Sequence, residues 1–268
     1  MKIIDCFIFA NEVELLKYRL AVLYNVVDKF VIVEARHTFS GIEKELSYNK
    51  NKKLFQKYED KIIHIIVDLP YKLPTIDYKS DQQWQNEYTQ RNAISQGLAQ
   101  IELKPEDIII ISDADEIPDP DNLAKVKEFS PDFKAVRLEQ DYYYYNLSSK
   151  FVDPWYYSIM IKYGHLMESG LTPQECRHAP NFGIFNKGGW HLSYFGDVSF
   201  IQKKIRSFSH QKYNTEEYIS DENIKNSMKN SVDLFHRDNK YHSMIKQPIA
   251  ENNYLPPNSA TLLKQFCK

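Results

Sequence analysis

The feature that most constrains the fold is a run of four consecutive isoleucines at residues 108–111, flanked by Asp107 and Ser112. An unbroken apolar, β-branched segment without polar alternation is typical of a strand that is covered on both faces. Such strands occur in α/β proteins, in which helices pack on both sides of a parallel sheet. The run therefore predicts a central sheet strand, which is followed directly by Asp113 and Asp115.

Strand and helix patterns alternate through the first half of the chain. Strands are predicted over residues 3–9, 28–34, 61–67 and 107–112, and helices over 12–24, 51–60 and 80–101. The second half has predicted strands over 135–145 and 155–162 and helices over 197–208 and 215–232. This order indicates an α/β fold with a Rossmann-like, mostly parallel sheet flanked by helices and a mixed or antiparallel second half. No linker or repeat divides it, so one domain is expected over residues 1–268.

Charge and composition exclude several classes of function. The chain has 34 Lys and Arg against 36 Asp and Glu, a net charge of −2, which provides no basic surface for nucleic acid or an anionic membrane. No segment approaches the roughly 20 apolar residues of a transmembrane helix, and Asp5 interrupts any signal peptide. Three scattered cysteines argue against a disulfide framework or a structural zinc site. We expect a soluble, cytoplasmic protein.

The two aspartates after the isoleucine run are the strongest candidate site. Ligands of open α/β sheets bind at the carboxyl ends of the strands. Asp113 and Asp115 are separated by one alanine, so in an extended backbone both carboxylates point to the same side. Two close carboxylates repel unless a cation lies near them, and oxygen ligands favour Mg²⁺ or Mn²⁺. The alternative is a solvated acidic turn that caps the next helix, since Asp119 and Asp121 also suit a helix N-terminus.

Other nucleotide and metal sites fit the sequence less well. A helix–loop–helix calcium site needs glycine at the loop position that Pro118 occupies. Dinucleotide folds and phosphate-loop NTPases need glycine-rich turns, and the eight glycines form neither GxGxxG nor GxxxxGK. A bound nucleotide diphosphate must then be neutralised by side chains and a metal. Metal-dependent transfer of a sugar from a nucleotide works in this way.

Seven segments, in chain order, carry a resemblance to a known family: residues 11–16, Arg19-Leu20, residues 27–34, residues 38–41, Arg91, residues 107–118 and residues 189–194. Together they resemble glycosyltransferase family 17, the β-1,4-mannosyl-glycoprotein β-1,4-N-acetylglucosaminyltransferase family. The resemblance implies a GT-A-like fold, a UDP-sugar donor with N-acetylglucosamine favoured, a Mn²⁺ or Mg²⁺ cofactor, a glycan or glycoconjugate acceptor, and inversion at the anomeric carbon. Residues 1–120 would bind the nucleotide sugar and residues 121–268 the acceptor.

The resemblance also assigns roles at the metal and the donor. It places the metal and the diphosphate at Asp113 and Asp115, with His191 as a third ligand. A core position for His191 is the alternative, and His210 competes with it for the ligand role. The remaining donor-binding candidates are Asn11, Glu12, Glu34 and Arg91.

Two of these candidates have structural alternatives. Glu12 also suits the start of a helix. Arg91 either reaches the donor phosphates or pairs with Glu87 one helical turn earlier. Both alternatives stay open at the level of sequence.

Inversion needs a base beside the acceptor hydroxyl, on the face of the sugar opposite to the leaving group. Glu175 and Asp197 are the preferred candidates, ahead of Glu168. Lys204 belongs to a basic stretch that either binds the diphosphate or forms a solvated helix face.

The sequence departs from the family in places that concern the acceptor. Leu192 and Tyr194 stand where animal members have Cys and Trp, and those members carry a membrane anchor. The identity of the acceptor is therefore not inferred from the family. A carbohydrate-binding protein that uses the tyrosines at 142–145, and a sugar-nucleotide hydrolase, are the alternative functions.

Overall fold

The structure is a computed structural model that describes residues 1–237 and 242–267. Its first half is a parallel sheet in the order β3-β2-β1-β4. The four predicted strands of this half are confirmed to within one residue at each end. They are β1 (Ile3–Phe9), β2 (Lys29–Ala35), β3 (Ile62–Val67) and β4 (Ile108–Asp113).

The helices of the first half are shorter than predicted. The helix expected over residues 80–101 divides at Ala93, and the one expected over 51–60 becomes a short helix followed by a 3₁₀ turn at Gln56–Lys61. The second piece packs closely on the sheet at Gly97, where an added Cβ would be 2.3 Å from Val31 Cγ1. The helices are α1 (Val13–Leu23), α2 (Ser47–Lys50), α3 (Lys52–Phe55), α4 (Gln82–Asn92) and α5 (Ile94–Leu98).

The second half of the sheet mixes directions, as predicted. It contains β5 (Glu116–Pro118), β6 (Ala135–Tyr144), β7 (Ser149–Phe151), β8 (Ile159–Lys162), β9 (Gly183–Ser193) and β10 (Met244–Lys246). β8 pairs antiparallel with β4 and β6, whereas β9 runs parallel to β6 and antiparallel to β5. The sheet thus continues from the parallel half through β8, and β9 returns to the end of β4.

The helix predicted over residues 197–208 is confirmed, whereas the one predicted over 215–232 is divided at Ser220, whose hydroxyl caps the second piece. In the described ranges, no helix combines the length and apolar character needed to cross a bilayer. The helices of this half are α6 (Pro120–Phe129), α7 (Tyr163–Ser169), α8 (Pro173–His178), α9 (Val198–Ser207), α10 (Glu216–Ile219), α11 (Asp221–Asn230) and α12 (Ser259–Leu262).

The isoleucine run contributes to two hydrophobic clusters, one on each face of the sheet. Ile108 and Ile110 pack on the side covered by α1 and α6, and Ile109 and Ile111 pack on the side covered by α5, α7 and α8. All four side chains are fully buried. Full burial of an isoleucine contributes about 1.5–3 kcal/mol, so β4 is a firmly held support for the residues that follow it.

Candidate functional site

A cleft of about 1120 Å³ opens where β1 and β4 end. The structure brings most of the predicted donor and metal residues together there, although they come from distant parts of the chain. The predicted residues that line the cleft are Asn11, Glu12, Arg91, Asp113, Asp115 and His191.

His191 reaches the aspartates through the β5–β9 pairing. Glu116 lies opposite His191 and Pro118 lies opposite Gly189 in this antiparallel ladder. Gly189 has φ of +136°, and a Cβ there would lie 2.0 Å from the carbonyl oxygen of Ile117. Only glycine permits this approach, so Gly189 sets the position of the histidine two residues later.

Asp113 is held by two guanidinium groups. Arg91 donates to Oδ1 at 2.8 Å, and Arg177 donates to Oδ2 at 3.0 Å. The same nitrogen of Arg91 also lies 3.0 Å from Glu87 Oε1. Arg91 therefore makes the predicted helical pair with Glu87, and it also binds Asp113, a contact that the sequence did not predict. Its predicted contact with the donor phosphates stays a prediction.

Glu116 is a fully buried acceptor beneath the aspartates. Arg177 donates to both of its carboxylate oxygens, at 2.8 and 2.9 Å, and the backbone N–H of Asp113 donates to it at 2.8 Å. Trp155 and Ser158 add hydrogen bonds at 2.6 and 2.8 Å. Burial alone would raise the pKa of Glu116, but the pair with Arg177 outweighs it and lowers the pKa to about 2.

Asp115 is paired with a lysine and a histidine. Lys204 Nζ, on α9, lies 2.6 Å from Oδ2, and His191 Nε2 lies 3.5 Å from Oδ1. Burial opposes ionisation of Asp115, but Lys204 and His191 hold its pKa well below the usual range. Burial also opposes the charge on Lys204, yet the two carboxylates Asp115 and Glu12 raise the pKa of its ammonium group. Both groups are therefore charged near neutral pH.

The ring of His191 is packed among aromatic rings and also faces the aspartate. It stacks on Tyr142 with a centroid distance of 4.6 Å and an interplanar angle of 4°, and it lies 4.5 Å from the Trp155 ring. Its Nδ1 is buried and has no hydrogen-bond partner among the described residues. The core position and the place beside Asp115 therefore coexist, and His210 lies elsewhere in the cleft, against Trp84.

The donor set can be tested against the expected metal. No group of three His, Cys, Asp or Glu side chains converges on one point within the described ranges. Mg²⁺ commonly takes one or two carboxylates from a protein and its other ligands from substrate phosphates and water, and Mn²⁺ prefers similar ligands. Asp115 and the Nε2 of His191, which faces it at 3.5 Å, provide such a partial set. The residues fit a divalent ion that binds together with a diphosphate.

Glu12 and Glu34 have structural partners. Glu12 Oε2 accepts from the backbone N–H groups of Ala10 and Asn11 at 3.2 and 3.0 Å, and it still lines the cleft. Glu34 is fully buried and accepts from Lys44 at 2.8 Å and from the backbone N–H of Tyr48 at 3.2 Å. The structure therefore places Glu34 behind the cleft, where it orders the loop that follows β2.

The structure does not bring the preferred base candidates beside the aspartates. Glu175 and Thr172 form a reciprocal cap at the start of α8, on the surface. Asp197 caps α9 and lines a neighbouring cavity of about 820 Å³, which shares Asn11 and Glu12 with the cleft. Glu168 is exposed on α7. As bases, all three stay predictions.

The four consecutive tyrosines form core rather than an open binding platform. Tyr142, the most exposed of them, is 8% exposed, and the others are less so. An exposed aromatic ring of the cleft is that of Tyr157, which is 39% exposed and lies beside Trp155 and His178.

Sequence reasoning missed Arg177 and did not assign a role to Arg19. Arg19 is fully buried and donates to the backbone carbonyls of Asp113 and Glu116. The motif segment Arg19-Leu20 was a signal for Arg19. Arg177 has no local signal, because its partners lie 61 and 64 residues away in the chain.

Comparison with known proteins decides the family. The sequence model of glycosyltransferase family 17 matches residues 1–251. The chain belongs to glycosyltransferase family 17. The resemblance seen in the sequence is confirmed.

Similarity to proteins outside the family model is distant. The crystal structure of residues 1–349 of S. aureus TarS has a TM-score of 0.41 and 9% identity, covering 76% of this chain and 64% of that one. The crystal structure of a mycobacterial protein has a TM-score of 0.28 and 12% identity, covering 53% and 41%. The chain thus spans less than two thirds of either structure's length. None of the curated proteins compared with the chain matches it significantly.

Proposed function

We propose that this family 17 member transfers a sugar from a UDP-sugar to a hydroxyl of a glycan or glycoconjugate, with inversion and with Mn²⁺ or Mg²⁺. UDP-N-acetylglucosamine is the first donor to test because of the family. The observation that carries the proposal is the pair Asp113 and Asp115 at the end of β4, in a cleft whose walls present Arg91 and Lys204.

The charges of the cleft suit a diphosphate. Arg91, Arg177 and Lys204 offer three cations beside the aspartates, and the two arginines also fix the direction of Asp113. A divalent ion would be held by Asp115 and His191, with Asp113 beside it, and would stabilise the charge that develops on the departing UDP. In the transfer, the acceptor oxygen bonds to the anomeric carbon, the bond from that carbon to the diphosphate breaks, and the acceptor proton passes to a base.

We propose His178 as that base, alongside Glu175 and Asp197 as the carboxylates to compare. His178 lines the cleft next to Tyr157. Burial, followed by the charge of Arg177, lowers the pKa of its imidazole, which is therefore neutral and able to accept a proton at neutral pH. General-base catalysis is typically worth about 10²–10⁴-fold in rate.

The base assignment is tested by comparing His178→Gln, Glu175→Gln and Asp197→Asn. His178→Gln is expected to lower kcat at least ~100-fold with UDP affinity unchanged. The two carboxylate variants are expected to lose stability, because each removes a helix cap, and to keep kcat. A fall in kcat confined to one of the carboxylate variants would give the role to that residue instead.

The function is tested by incubating the protein with a panel of UDP-sugars and p-nitrophenyl glycosides, with Mn²⁺ or EDTA. We expect UDP release that requires Mn²⁺ and an acceptor, and a product heavier by one sugar residue. Free sugar released equally with and without acceptor would indicate a hydrolase. Sugar binding without UDP release and without any effect of EDTA would indicate a carbohydrate-binding protein.

The three cysteines support a proposal for the cellular compartment. Cys6, Cys176 and Cys267 are free thiols, which are typical of a reducing compartment, and we place the protein in the cytoplasm. In this proposal the acceptor binds on the side formed by residues 121–268, where Tyr157 offers an exposed ring for sugar stacking.

A further inference from the structure

A protein cation already occupies the position beside Asp115 where a divalent ion is expected. Lys204 Nζ lies 2.6 Å from Asp115 Oδ2, and the side chain of Lys204 is only 18% exposed. The ammonium group also lies 5.3 Å from the centroid of the Tyr194 ring, so it is enclosed on that side. A divalent ion bound by Asp115 would be within a few ångströms of this ammonium group, and the two cations would repel each other.

A second carboxylate lies near enough to pair with Lys204 if Asp115 binds a metal. Glu12 Oε1 lies 3.9 Å from Lys204 Nζ, on the side of the cleft where β1 ends. α9 itself is anchored in the core through Ile201 and Ile205, which are fully buried, so only the flexible end of the lysine side chain has to move. A diphosphate bound in this cleft would bring further negative oxygens within reach of the same ammonium group.

We propose that Lys204 is an internal counter-ion that competes with the divalent metal for Asp115 until the donor diphosphate binds, so that metal and nucleotide bind cooperatively. This inference rests on the proposed function of the cleft. Without nucleotide, the metal has to break the ion pair between Lys204 and Asp115. With nucleotide, the displaced ammonium group exchanges one anionic partner for another, and the metal gains the diphosphate oxygens as ligands.

The small number of protein ligands for the metal also favours cooperative binding of metal and nucleotide. Asp115 and His191 offer two protein ligands, and three converging metal-binding side chains are not found within residues 1–237 and 242–267. By linkage, the factor by which UDP raises the affinity for the metal equals the factor by which the metal raises the affinity for UDP. Couplings of this kind typically amount to about 5–150-fold.

The test measures Mn²⁺ binding by electron paramagnetic resonance, with and without UDP, and UDP binding by calorimetry, with and without Mn²⁺. Four proteins are compared: wild type, Lys204→Met, Lys204→Arg and Lys225→Met. Lys225 is the matched control, because it forms a 2.8 Å pair with Asp221 on α11 but is 63% exposed. Thermal unfolding of each variant shows whether it is folded.

In the wild type, UDP is expected to raise Mn²⁺ affinity at least ~5-fold. Lys204→Met is expected to bind Mn²⁺ alone more tightly than the wild type does, and to keep only the part of the coupling that comes from the diphosphate oxygens as metal ligands. Lys204→Arg keeps the cation and is expected to keep both the weak binding of Mn²⁺ alone and the coupling. Lys225→Met is expected to match the wild type.

Unchanged or weaker binding of Mn²⁺ alone by folded Lys204→Met would overturn the inference, as would equal UDP affinity with and without Mn²⁺ in the wild type. The wild-type data also test the proposed function. No binding of UDP with or without Mn²⁺ means that the proposed function fails, whereas UDP binding without coupling means that only the role of Lys204 fails.

Discussion

Arg19, in the first helix, donates a 2.7 Å hydrogen bond to the backbone carbonyl of Asp113, the last residue of β4. The same guanidinium group donates to the carbonyl of Glu116 at 2.8 Å, and it pairs with Asp5 through bonds of 2.6 and 2.8 Å. Arg19 and Asp5 are both fully buried. The loop that carries the two aspartates is therefore held from beneath by a charged group that touches its backbone, and its shape depends on a residue 94 positions earlier.

Arg19→Met is expected to destabilise the protein by about 3–5 kcal/mol, because it leaves the buried carboxylate of Asp5 without a partner. The double variant Asp5→Asn/Arg19→Met removes that stranded charge and is expected to recover part of the stability, measured by urea denaturation. UDP affinity should stay low in the double variant, since the loop carbonyls remain unclamped. Recovery of UDP affinity together with stability would mean that Arg19 only neutralises Asp5.

Asp115→Asn is expected to reduce transfer at least ~100-fold, because it removes the charge that would hold the metal beside the departing diphosphate. The substitution is isosteric and opens no cavity, but it leaves the mostly buried Lys204 without its nearest carboxylate, so the melting temperature should fall, and thermal unfolding has to show that the variant is still folded. Asp121→Asn, at an exposed position in the first turn of α6, is the matched control and should keep full activity. Full activity of Asp115→Asn, measured as UDP release, would contradict the site.

The parallel half of the fold could be predicted from the sequence because its signals are local. Each strand there is a short apolar run, and each run ends at the sheet edge where ligands bind, so the positions of Asn11, Glu12 and Asp113 followed from the order of elements. Glu34 also follows a run of this kind, but its partners are a lysine and backbone N–H groups of the next loop. A sequence pattern that places a carboxylate at the end of a strand does not show which hydrogen-bond donors of the folded protein bind it.

The rest of the site depends on contacts that have no local signature. β9, with 11 residues, was not predicted, since its first half contains glycine, asparagine and lysine in place of an apolar alternation. Arg177 follows a helix cap and a buried cysteine, and only the folded structure brings it to Asp113 and Glu116. Glu175 and Asp197, the preferred base candidates, do not line the cleft for a related reason: both stand at helix starts, where acidic residues are favoured as caps.

Gly189→Ala is expected to be strongly destabilising, by more than about 3 kcal/mol, because the new Cβ would overlap the carbonyl oxygen of Ile117 and the backbone has a positive φ. The β5–β9 pairing would separate and displace His191, so metal affinity should fall as well. Gly170→Ala is the matched control: φ there is +66°, but a Cβ would meet nothing within 4 Å. It should cost only the left-handed backbone penalty, about 1–2 kcal/mol, and leave metal affinity unchanged. Equal losses in the two variants, measured by urea denaturation, would show that the close approach at Gly189 is unimportant.

Glu87 gives the fold a predictable response to acid. Burial alone would raise its pKa, but Arg91, at 3.0 Å, and the hydroxyl of Ser209, at 2.5 Å, outweigh burial and lower the pKa. The unfolded chain, with an ordinary glutamate pKa of about 4.3, then binds the proton more readily than the folded protein does. The stabilisation is therefore complete above about pH 5 and is lost as the pH falls through the lowered pKa of the folded state.

Glu87→Gln removes this titration and keeps the shape of the side chain. The free energy of unfolding of the wild type should exceed that of Glu87→Gln above about pH 5, and the difference should shrink towards pH 3. Glu128→Gln, at an exposed position on α6, should follow the wild type at every pH. Urea denaturation at intervals between pH 3 and pH 7 measures all three proteins, and a difference between wild type and Glu87→Gln that stays constant across this range would show that the pair with Arg91 does not lower the pKa of Glu87.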